Sequence, residues 1–161
     1  MRWKESGYTL IEVLVGLTII GFLFGLGYVN FRDFSRRQAV AGAAKNIQGD
    51  MGLAQQLALS GQKPDDIKCN PPNLLSSYNF RIASAGEYVI EAVCTGGAVE
   101  SKSVVLPADI SISSDSLTTI SFKVLGQGTN IVSLDRVILT LTQASTNNIY
   151  NITVGSGGNI Q

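Results

Sequence analysis

Few residues in this chain could carry chemistry. None of its 161 residues is histidine, which removes the commonest general base and the commonest zinc ligand together. Serines and threonines are plentiful, but a conventional nucleophilic triad needs the missing imidazole. Asp65-Asp66 is a carboxylate pair that follows Pro64 in a polar stretch, the setting of a turn rather than of an acid/base couple. Ser156-Gly157-Gly158 is glycine-rich, yet no helix follows it to hold a phosphate, so it reads as a hairpin turn. Two cysteines, Cys69 and Cys94, are too few for a metal site without histidine, and leave a disulfide or two buried thiols open. The sharpest signal is Glu12, the only charge between Gly7 and Val29. A carboxylate at mid-membrane depth costs roughly 2.5–3.5 kcal/mol, so this one must lie near one face or meet a positive partner. These residues point away from an enzyme, a cofactor and a small-molecule substrate.

The element that positions Glu12 is an apolar run, Tyr8 to Val29. It is long enough to cross a bilayer core, which takes roughly 20 residues, and it ends at the polar Asn30-Phe31-Arg32-Asp33. Gly16, Gly21, Gly25 and Gly27 fall within it, Gly21 and Gly25 as a G-x-x-x-G pair. Either they form a packing face or they reflect ordinary membrane-helix composition. The pattern then continues. Val40, Ala44, Ile47, Met51, Ala54 and Ala58 recur at spacings of four and three, an apolar stripe along a helix that should stop at Ser60-Gly61. From Tyr8 to Leu59 such a helix would be about 78 Å long at 1.5 Å per residue, more than a small domain can bury. The expectation is a first half in a bilayer or a bundle of partners, and a second half lying on a domain. Arg32, Arg36 and Arg37 in the collar between them could meet lipid headgroups or water.

Beyond the connection at Gln62 to Asn73 the period changes to two. Strands are expected at Tyr78–Ala83, Tyr88–Cys94, Ser103–Leu106, Ile110–Ser113, Thr119–Leu125, Arg136–Thr142 and Ile149–Val154, with Gly, Asn, Ser or Pro in nearly every gap. Seven strands after one helix predict an α+β domain whose antiparallel sheets cradle the striped helix.

The amino-terminal spelling carries a resemblance. A short polar leader with Arg2 and Lys4, a closing Gly7, the run Tyr8-Thr9-Leu10-Ile11-Glu12-Val13-Leu14 and an unbroken apolar stretch resemble the start of type IV prepilins and pseudopilins. The family usually has Phe where this chain has Tyr8. The resemblance implies that a prepilin peptidase cuts after Gly7, that the new amino terminus at Tyr8 is N-methylated, and that Glu12 pairs with the terminal amine of a neighbouring subunit. It also implies a pilin-like fold and, as partners, other pilins, the peptidase and membrane lipid. Domains are then expected at 1–7 (leader), 8–29 (membrane helix), 30–61 (amphipathic continuation) and 62–161 (globular domain). A Sec signal peptide is the rival reading, but the apolar run is too long for an h-region. Arg32, Arg36 and Arg37 also separate it from Ala39-Val40-Ala41, which imitates a cleavage site. A plain single-pass anchor would leave Glu12 unexplained.

A softer likeness covers the second half. Val104-Val105-Leu106-Pro107 before a strand, Ile120-Ser121-Phe122 leading to Gly126, and a closing Gly157-Gly158-Asn159-Ile160 are similar to minor pseudopilin H of type II secretion and related minor pilins. The expected role is a structural subunit of a type II secretion pseudopilus or a type IV pilus, anchored once in the bacterial inner membrane with its C-terminal domain outside. There Cys69 and Cys94 could bridge. The alternative is a DNA-binding minor pilin of an uptake pilus. Against it, Val154–Gln161 holds no Lys or Arg, and seven basic against nine acidic residues from Lys45 onward do not make a basic patch.

Overall fold

The structure, a computed structural model, describes residues 7–131 and 136–161, without the side chains of residues 26–30. The expected leader before Gly7 and the expected end of the apolar run at Val29 and Asn30 therefore lie outside what is described in full. The chain divides into two compact units, Met1–Arg37 and Gln38–Gln161, and α1, Leu10–Ser60, contributes to both.

Helix α1 begins two residues later than Tyr8. Thr9-Leu10-Ile11-Glu12 spells a capping box, and the Glu12 amide lies 3.4 Å from Thr9 Oγ1 and 3.1 Å from the Thr9 carbonyl. At the other end Gly61 takes φ +63°, a left-handed conformation that glycine adopts without penalty. Its amide donates to Ala58 O and that of Gln62 to Leu57 O, at 3.2 Å each, the paired bonds of a Schellman stop.

In the second unit β1 (Leu75–Ser84), β2 (Glu87–Cys94), β3 (Gly97–Val105) and β5 (Thr119–Lys123) form one antiparallel sheet in the order β3-β2-β1-β5. The other, in the order β4-β6-β7, contains β4 (Ile110–Ser114), β6 (Arg136–Gln143) and β7 (Ile149–Gly155). The β1–β2 turn joins them, since Leu106 N donates to Gly86 O and Ile112 N to Ala85 O, both at 2.8 Å. All six stripe residues of α1 are buried. They share one core with Tyr78, Phe80, Tyr88 and Ile90 of the first sheet and Leu139, Leu141, Ile152 and Val154 of the second. The fold is thus α+β and pilin-like, a long amino-terminal helix packed with antiparallel sheets.

Three strand boundaries differ from expectation by two residues or more, the first being the start of β1 at Leu75 rather than Tyr78, where Leu75 already pairs with Cys94. β3 starts at Gly97 rather than Ser103, because Thr95-Gly96 suffices to turn the chain and Gly97 already pairs with Cys94. β5 ends at Lys123 rather than Leu125, because a short 3₁₀ turn, Val124–Gly126, intervenes with Leu125 at φ 55°. The turn after β7 folds the chain back, so that Thr153 and Gln161 exchange backbone bonds at 2.8 and 2.9 Å. Gly158, at φ +86°, lies so close to the helix that a Cβ there would stand 2.8 Å from Gln55 Nε2.

Candidate functional site at the start of α1

Gly7, Tyr8 and Glu12 stand together at the amino-terminal end of α1. Gly7 and Tyr8 precede the helix, and Tyr8 is 84% exposed. A Cβ on Gly7 would meet nothing within 4 Å, so nothing inside this chain demands glycine there. The same is true of Gly16, Gly21 and Gly25, although each glycine costs a helix about 1 kcal/mol relative to alanine.

Around this end the described surface is apolar on every side. Leu10, Ile11, Val13, Leu14, Leu17, Ile20, Phe22, Leu23 and Phe24 are all exposed, with Leu10 at 83%. An all-round apolar helix belongs in a core, in lipid or among partner helices. Thr18 keeps its hydroxyl satisfied within the helix by donating to Leu14 O at 2.6 Å, as a polar group in an apolar setting must. Among the described residues no helix is long and apolar enough to cross a membrane; the side chains described for this run stop at Gly25, short of the expected end at Val29.

Glu12 lies in the first turn of α1, where a negative charge is favoured by the unpaired amides of the helix start. Its side chain is exposed, and among the described residues no cation stands at ion-pair distance from it. The capping box was present in the sequence as the T-x-x-E spelling, a signal overshadowed by the apolar run.

Elsewhere, Cys69 and Cys94 are joined by a disulfide, S–S 1.93 Å, between the end of β2 and the connection after α1. Asp65 and Asp66 occupy that connection, where Asp66 Oδ1 accepts the Lys68 amide at 2.8 Å in a local turn. Among the described residues no three His, Cys, Asp or Glu side chains come together as metal ligands would. A polar knot that sequence reasoning missed ties α1 to the first sheet. Asp50 accepts from the Tyr88 hydroxyl at 2.8 Å and from Lys102 Nζ at 2.7 Å. Burial first, then the hydrogen bond to Asp50 and its charge, push the Tyr88 phenol well above its ordinary pKa. No periodicity announces such a knot, since Asp50 and Lys102 each look like solvated surface residues.

A family model described as the prokaryotic N-terminal methylation motif matches residues 4–28. Neither the curated proteins nor the solved structures contain a significant match to the chain. The motif supports a place among type IV pilin-like proteins, processed by a prepilin peptidase, attached to a membrane and assembled with other pilins.

Proposed function

We propose that the chain is a minor pilin or pseudopilin, a structural subunit of a type II secretion pseudopilus or a type IV pilus. In this reading residues 1–7 are removed after Gly7 and the amine of Tyr8 is methylated. Residues 8–29 anchor the protein in the bacterial inner membrane with its sheet-bearing domain on the outer side. The observation that carries the reading is the union, at one helix end, of a solvent-facing Gly7-Tyr8 junction, an all-round apolar surface and a single charge at Glu12. The open junction and the exposed apolar surface acquire a use between chains, and the Glu12 charge, favoured at a helix start, acquires a partner there.

Removal of the leader frees an amine four residues before Glu12. Inside apolar surroundings a carboxylate and an ammonium of neighbouring subunits attract more strongly than in water, and each relieves the burial cost of the other. Insertion alone gives no reason for an acid, because glutamine would enter the membrane at least as well. Glu12→Gln should leave membrane level and leader removal unchanged and reduce crosslinking to partner pilins. Crosslinking equal to wild type would refute the charge pair.

A further inference from the structure

We infer that the last three residues of β3, Ser103–Val105, with the groove beside them, form a docking site for an extended segment of another polypeptide, added to the sheet as a further strand. The site lies wholly in the second unit and does not depend on the processing reading.

Four strands lie at edges: β3 and β5 in one sheet, β4 and β7 in the other. The chain covers part of each of three of them itself, with Ile149 and Asn151 of β7 beyond the reach of the carboxy-terminal tail's bonds. Along β5, Lys123 N donates to Gly128 O at 2.9 Å, Asn130 N to Ser121 O at 3.2 Å, and Ser121 N to the Asn130 side chain at 2.9 Å. Along β7 the returning tail pairs through Gln161 and Asn159, and β4 is met by Ala85. The first part of β3 is defended in other ways. Lys68 Nζ donates to Ala98 O at 3.2 Å, Glu100 and Lys102 place charges on the strand, and a bulge interrupts the register between Ile90 and Glu91.

Ser103–Val105 has none of these devices. Because Leu106 N donates to Gly86 O, the pair Glu87–Val105 does not exchange backbone bonds, and by alternation neither does Val89–Ser103. The N–H and C=O groups of Ser103 and Val105 therefore point outward, and among the described residues nothing pairs with them. Donors and acceptors alternating at strand spacing are complementary to another polypeptide backbone and to little else. Val105 is 76% exposed, and beside it runs a groove of about 410 Å³ lined by Ala39, Gly42 and Asn46 of α1 together with Val105 and Pro107. The edge offers backbone hydrogen bonds and the groove takes an apolar side chain, the two halves of strand addition.

The test uses the full-length protein in lipid nanodiscs. One probe is a seven-residue peptide alternating valine with threonine, and the other is the same peptide with every backbone amide N-methylated. The unmodified peptide should slow amide exchange at Ser103 and Val105 while leaving that of Val104, already bonded to β2, unchanged. Methylation should weaken binding about tenfold or more, the worth of two net hydrogen bonds. Gly42→Leu improves helix propensity and points into open space, so the fold should persist while the filled groove weakens binding by a similar factor. The inference is overturned if the peptide does not bind, or if Ser103 and Val105 gain no protection. It is equally overturned if the methylated peptide binds as well as its parent, which would make the groove a plain apolar pocket.

Discussion

The Tyr88 hydroxyl donates to Asp50 Oδ2 across 2.8 Å, a bond between β2 and the C-terminal part of α1. Tyr88 is almost fully buried, so removing its acceptor leaves a hydroxyl with neither protein nor ready water. Asp50→Ala should therefore cost about 1–3 kcal/mol, whereas Tyr88→Phe, which leaves Asp50 with Lys102, should cost about 1 kcal/mol. Chemical denaturation of both single variants and the double variant should show coupling between the two positions.

The same pair sets an alkaline limit. The folded chain holds the Tyr88 proton more tightly than the unfolded chain does, as burial makes it hold that of Tyr78. Between the ordinary phenol value of 10.0 and the raised folded value, the native state binds more protons, so stability must fall as pH rises. Below pH 10 the contribution should be fully present. Denaturation midpoints measured from pH 8 to pH 11 should decline at the upper end and decline less in Tyr88→Phe; an equal decline in both proteins would refute the assignment.

The Cys69–Cys94 disulfide closes a loop with a sequence separation of 25. In the chain-entropy account such a loop stabilises by about 3.5 kcal/mol. Non-reducing peptide mapping of exported protein should recover the linked pair, and reduction should lower the melting temperature by several degrees at least. Two freely alkylatable thiols in natively exported protein would contradict the bond.

Leu125 is an apolar, β-carbon-bearing residue at φ 55° and is 75% exposed. The left-handed conformation costs a residue of this kind about 1–2 kcal/mol, and its exposed side chain recovers little by packing. Leu125→Gly should raise stability by about 0.5–1 kcal/mol after the entropy of the freer unfolded chain is counted. A destabilised variant would mean that the leucine packs more than its exposure indicates.

Much of this fold could be read from residue spacing, because spacing records burial. Val40, Ala44, Ile47, Met51, Ala54 and Ala58 lie on one helix face, and all six are in the core. The alternation in Arg136–Gln143 likewise reports a strand with one covered side. Boundaries were harder to read where local chemistry overrides pattern. Glu100, Ser101 and Lys102 look like a loop because β3 lies at an edge and exposes both faces, and Leu125 extends an apolar run that the backbone has already left. The Asp50–Tyr88–Lys102 knot was hidden for a different reason: its members come together from positions up to 52 residues apart, and only the packed fold makes them neighbours. At the candidate site the spelling from Gly7 to Glu12 is plain, the T-x-x-E of Thr9 and Glu12 included, and the backbone adds the approach of the Glu12 amide to Thr9 Oγ1.

The central claim is that Gly7-Tyr8 is a processing junction, and intact-mass analysis of the protein from cells with an active prepilin peptidase tests it most directly. The account predicts a chain that begins at Tyr8, carries one added methyl group on its amine, and keeps its leader when Gly7 is replaced by a bulky residue. Wild-type protein that retains Met1–Gly7 in those cells would contradict it.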